Sequence, residues 1–140
     1  HRGGLDELRR SHLSVQIDWD RARIVLDGDD HRLQALVHAG IEMLPTLLAS
    51  LEEAVQADDG ARLQFTARTV VDTIRYLGVE PVMQAAFELE RMGRDDRLQE
   101  ARERFPTFAQ AIESLRQSCV DFIGESSSTN TDHHPDVERH

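Results

Sequence analysis

No lysine occurs among the 140 residues; all sixteen positive side chains are arginine. Schiff-base chemistry and phosphate loops built around a lysine are therefore excluded. A single cysteine, Cys119, leaves no partner for an internal disulfide and cannot build a cysteine-based zinc site, which fits a reducing cytoplasmic compartment. Aromatic residues make up only 5% of the chain, and four prolines and eight glycines leave room for long helices, so the composition leans all-α. No apolar run approaches the roughly 20 residues that a spanning helix needs, and the polar start HRGGLDELRRSH lacks the apolar stretch of a secretion signal. A basic footprint is missing too. The net charge of −10 disfavours nucleic acid and anionic membrane as partners, since both require cationic surface.

The chain has the length of one ordinary domain, and apolar residues form 39% of it. Between Asp29 and Asp58, Leu33, Leu36, Ile41, Leu44, Leu51 and Val55 recur at helical spacing, which predicts one long amphipathic helix. Asp29 and Asp30 can cap its start, and Pro45 inside it predicts a bend. A second helix is predicted from Ala61 to Leu77 with Gly78 as a left-handed cap, and a third opens at Pro81 and carries Val82, Ala85, Leu89 and Met92. The last, with Leu98, Ala101, Phe105, Phe108, Ile112, Leu115, Cys119 and Phe122 three and four apart, is a bundle seam that Pro106 should kink or split. A short helix around IDWDRARIVL precedes them, with Trp19, Ala22 and Val25 or Leu26 laid across the bundle as a core-contacting lid. The expectation is an antiparallel four-helix bundle with one additional short N-terminal helix over residues 17–123. It is flanked by a linker or extension at 1–16 and a polar, disordered tail at 124–140. His133 and His134 in that tail lack further ligands, so no metal site is expected.

In the helix from Ala61 to Leu77 the apolar stripe centres on Val70, and Ala61, Gln64, Arg68, Asp72 and Arg75 lie opposite it. At 100° per residue Phe65 and Val71 fall about 60° to either side of Arg68, giving the outward face apolar flanks. Arg68 and Asp72 are four apart and can pair, in the less favourable order. Glu88 and Glu90 share a helix with Arg91 and Arg94 and read as surface pairing.

The segments IDWDRARIVLDGDDHRLQALV, ARTVVDTIRYLGVEP and AFELERM follow one another in the order and spacing of the histidine-containing phosphotransfer (HPt) domain family, which the chain resembles over roughly residues 17 to 122. The strongest parts are Asp18 and Trp19, the Gly28-Asp29 turn, the Ala67 to Gly78 helix and the Leu89-Glu90 pair. The family's phosphate-accepting histidine stands just after an alanine, followed three residues later by a lysine and then a glycine. In this chain Arg68, Val71 and Asp72 occupy those places, while Leu77 and Gly78 match. A guanidinium offers no lone pair to a phosphoryl group, so Arg68 cannot relay phosphate.

The resemblance therefore implies a degenerate phosphorelay module of bacterial-type two-component signalling that binds rather than catalyses, with no cofactor. Its partner would be the receiver domain of a response regulator or hybrid sensor kinase. Gln64, Phe65, Arg68, Val71, Asp72 and Arg75 would form the docking face, Arg68 reaching the receiver's acidic pocket as a bidentate ligand of carboxylate or phosphate. The alternatives are an active phosphotransfer protein using another histidine, of which His31 and His38 lie on the preceding helix, and a structural or oligomerisation bundle. Glycine-rich loops, zincin-like spacing and a nucleophile with an evident base are absent from the sequence.

Overall fold

The computed structural model describes residues 15–133, with side chains through residue 125. Five α-helices follow one another: α1 (Trp19–Val25), α2 (Asp30–Gln56), α3 (Gly60–Ile74), α4 (Glu80–Arg94) and α5 (Leu98–His133). A 3-10 turn, Arg75–Leu77, continues α3, and the described residues contain no strand.

Aspartate begins three of these helices and ends three. Asp18, Asp29 and Asp59 accept from the backbone N–H of Arg21, Arg32 and Arg62 at 3.1, 2.9 and 3.0 Å, each satisfying a donor that the first turn would leave orphaned. At the other ends Asp27, Asp58 and Asp96 take left-handed φ values of 58°, 55° and 60°. The next residue in each case, Gly28, Asp59 or Arg97, donates back to the carbonyl of Arg23, Ala54 or Met92 at 2.7, 2.9 and 2.8 Å, the Schellman closure. Gly78 ends the 3-10 turn with φ 66°, the left-handed cap its residue type predicts. α4 starts without a side-chain cap; Pro81 in its first turn has no N–H to satisfy.

The four long helices pack in a ring, α2 on α3, α3 on α4, α4 on α5 and α5 on α2, and short connections make neighbours antiparallel. The seam of α5 is inside as expected: Leu98, Ala101, Phe108, Ile112, Leu115, Cys119 and Phe122 are buried, and Phe105 is partly so. Each large apolar side chain fully removed from water contributes about 1.5–3 kcal/mol before entropy is charged against it. α1 lies against α2 and the 3-10 turn. Ala22 and Leu26 enter the core while Val25 stays exposed, and half-buried Trp19 stacks on Phe122 with centroids 4.0 Å apart.

Two sequence expectations change here. Neither proline interrupts its helix, so of the kink or split expected at Pro106 the split does not occur. Both rings sit on the solvent side, while the buried residues around them, Leu44 and Leu51 for Pro45 and Ala101 and Phe108 for Pro106, hold both halves of each helix in one core. The backbone of α5 also remains helical to His133, past the boundary expected at 123. The rest of the expected tail, with His134, and the extension at 1–14 lie outside the described residues, as does the His133 side chain.

Candidate functional site: the outward face of α3

α3 is fastened differently on its two sides. Toward α2, Thr66 Oγ1 lies 3.3 Å from Ser50 Oγ, Arg62 Nε donates to the same hydroxyl at 3.1 Å, and Arg62 Nη2 pairs with Glu53 at 2.8 Å. Toward α4 the attachment is backbone on backbone. A Cβ added to Gly60 would stand 2.6 Å from the Gly93 carbonyl oxygen, and one added to Gly93 would stand 2.6 Å from the Gly60 oxygen and 2.7 Å from the Gln64 nitrogen. Only glycine allows that approach, and it carries Glu90, one turn before Gly93, to the edge of the α3 face.

Arg68 stands on that face with its side chain 53% exposed. Its Nε is 3.7 Å from Asp72 Oδ1 and its Nη1 is 3.8 Å from Glu90 Oε2. These are attractions without hydrogen-bond geometry, so among the described residues the guanidinium keeps its donors uncommitted. Asp72 is shared with Arg75, whose Nη2 lies 3.4 Å from it. Two guanidinium groups and two carboxylates therefore form one chain across the face: Glu90, Arg68, Asp72, Arg75.

Beside this chain Phe65 is 73% exposed, an uncommon state for a ring of that size, and Gln64 is half-buried against Gly93. Val71 departs from expectation. It is fully buried and cannot flank the surface, because the glycine contact draws α4 close enough to cover that side of α3. The apolar neighbour of the face lies toward α2 instead, in a groove of about 360 Å³ walled by Val25, Leu36, Met43 and Tyr76, with Asp72 and Arg75 on its rim. Burial, and then the charge of Cys119, raises the Tyr76 phenol well above its ordinary range, so it lines the groove as a neutral group.

Of the residues named from sequence, Gln64, Phe65, Arg68, Asp72 and Arg75 come together and Val71 does not. Glu90 and the groove were not anticipated. Glu88 and Glu90 of α4 reach across to other helices instead of pairing within their own: Glu88 binds Arg104 of α5 at 2.9 Å and Glu90 faces Arg68. Only the Gly93 position three residues on could have signalled that approach. His31 and His38 are both exposed on α2. Among the described residues no group of three or more His, Cys, Asp or Glu side chains could hold a metal ion, and no helix is long and apolar enough to cross a membrane.

Compared with known proteins, the chain matches the family model of the Hpt domain over residues 35–118, more than half its length. No curated protein and no solved structure matches it.

Proposed function

Because the chain belongs to the Hpt-domain family, we propose that it serves a phosphorelay by docking a receiver domain without carrying phosphate itself. Hpt domains are phosphotransfer modules, and receivers are the general kind of partner they engage. The observation that carries the finer reading is Arg68. An exposed guanidinium, free of hydrogen bonds among the described residues, occupies the place where the family resemblance puts the acceptor imidazole. It stays protonated at any ordinary pH and has no lone pair for a phosphoryl group, yet it suits a carboxylate-lined pocket as a planar donor. Phe65 and the groove beside Asp72 add apolar surface of the kind that protein interfaces bury.

The docking face comprises Gln64, Phe65, Arg68, Asp72 and Arg75, within a single cytoplasmic signalling domain that begins near residue 17. The test is calorimetric titration with receiver domains from the same cell. Micromolar binding is expected, and Arg68→Glu should weaken it about tenfold or more through charge reversal at the centre of the contact, with only a small fall in the unfolding midpoint as the new carboxylate meets Asp72 and Glu90. Acid-labile phosphohistidine after incubation with a phosphorylated receiver would instead mark an active transferase using another histidine. A self-associated species with no receiver affinity would mark an oligomerisation bundle.

A further inference from the structure

The charge chain across α3 bears on which form of the receiver the face accepts. We infer that Glu90 and Asp72 set the specificity of Arg68, so that the face prefers the receiver whose acidic pocket is unphosphorylated; this rests on the docking reading above. A site built for a phosphoryl group gathers surplus cationic donors. Here the positive charges of Arg68 and Arg75 are matched by Asp72 and Glu90, within a chain of net charge −10. Any attraction the face offers an anion is therefore short-ranged, coming from the uncommitted N–H groups of Arg68 and not from a positive field.

Glu90 is the member that stays in place. Its side chain is 18% exposed against 60% for Asp72, and it belongs to the helix that the Gly60–Gly93 contact presses onto α3. Asp72 can swing away when a partner arrives, but Glu90 keeps its charge close to the Arg68 donors. A pocket carboxylate can accept from Arg68 across the free edge of the guanidinium. Converting that carboxylate to an acyl phosphate adds one more negative charge facing Glu90, and neither Arg68 nor Arg75 is unmatched to receive it; Arg32, a groove-lining cation without an ion pair among the described residues, stands on α2, on the other side of α3 from Glu90.

A unit charge about 5–8 Å from Glu90 in a partly desolvated contact changes affinity by roughly threefold to tenfold. The experiment titrates one receiver, bare and as its beryllofluoride adduct at equal magnesium, into the wild type, Glu90→Gln and Arg68→Ala. The wild type is expected to bind the bare form about threefold to tenfold more tightly, and Glu90→Gln to shrink that ratio mainly by gaining affinity for the adduct. Activation also reshapes a receiver, so the change in ratio on Glu90→Gln carries the test, with an unchanged thermal midpoint showing that the isosteric replacement preserved the packing. A wild type that binds the adduct equally or more tightly, or a ratio that Glu90→Gln leaves untouched, overturns the inference while the docking reading stands. If neither form binds the wild type, the docking reading falls and takes the inference with it.

Discussion

Two glycine-to-alanine replacements in the same fold should move stability in opposite directions. In a helix interior the exchange is favoured by about 0.5–1 kcal/mol because alanine loses less backbone entropy on folding. At Gly40, within α2, the new methyl would have nothing within 4 Å, so Gly40→Ala should realise that gain and raise the midpoint by roughly 2–5 °C. At Gly93 the same methyl would sit 2.6 Å from the Gly60 oxygen, 2.7 Å from the Gln64 nitrogen and 3.2 Å from the Gln64 Cα, all backbone atoms that cannot rotate aside. Forcing α3 and α4 apart costs about 1–3 kcal/mol or more, which exceeds the propensity gain and leaves Gly93→Ala net destabilised. Urea unfolding of both variants, with the slope checked against wild type, should separate them by that clash cost, about 1–3 kcal/mol or more. Equal shifts, or a stabilised Gly93→Ala, would show that the two helices are not held at backbone contact and would remove the reason Glu90 reaches Arg68.

Further outcomes follow from the turns and the core. Asp27→Gly should stabilise by about 0.5–1 kcal/mol, because it relieves a left-handed side chain at φ 58° and removes a carboxylate from a helix C-terminus; a loss in thermal denaturation would count against that accounting. Burial pushes the Cys119 thiol up to about 11 from 9.0, so the unfolded chain gives up this proton first as pH rises. Its contribution to stability is intact below about pH 9, falls between about 9 and 11 and is fully lost above, on the order of 2 kcal/mol in all. Urea midpoints from pH 7 to 10.5 should decline at the alkaline end and flatten in Cys119→Ala, with the remaining slope belonging to Tyr76; an unchanged slope would place the loss elsewhere.

Local signals accounted for the elements. The apolar period of α5, the Asp29 cap, the Gly78 turn and the opening at Pro81 all stand where spacing and residue type put them, because each depends on neighbours within a turn or two. The polar side of α3 was equally legible, since its stripe fixes which residues face out. What failed was the edge of that stripe. Helical angle alone leaves Val71 ambiguous, and its burial depends on how closely α4 approaches, which two glycines more than thirty positions apart decide together. The pairing of Glu90 with Arg68 has the same origin, and the groove needs three elements at once, so neither is written in any one segment. At Pro106 a split was one of the two outcomes that local chemistry offered, and the shared core on the opposite side of the helix keeps both halves in one helix.

The aspartate turns bear on how the chain finds this arrangement. Ala57, Asp58 and Asp59 suffice to join α2 to α3, Gly78 and Val79 follow the 3-10 turn into α4, and Asp95, Asp96 and Arg97 lead into α5. Closing such short loops costs little entropy, and in the ring only α2 and α5 meet across a long stretch of chain. A chain so organised can zip hairpin by hairpin, each left-handed aspartate stopping one helix and turning the next back alongside it. Folding should then be governed by that last long-range closure and fall in the microsecond to millisecond regime of helical bundles. The residues that punctuate the helices thus also set the pace at which the outward face of α3 comes into being.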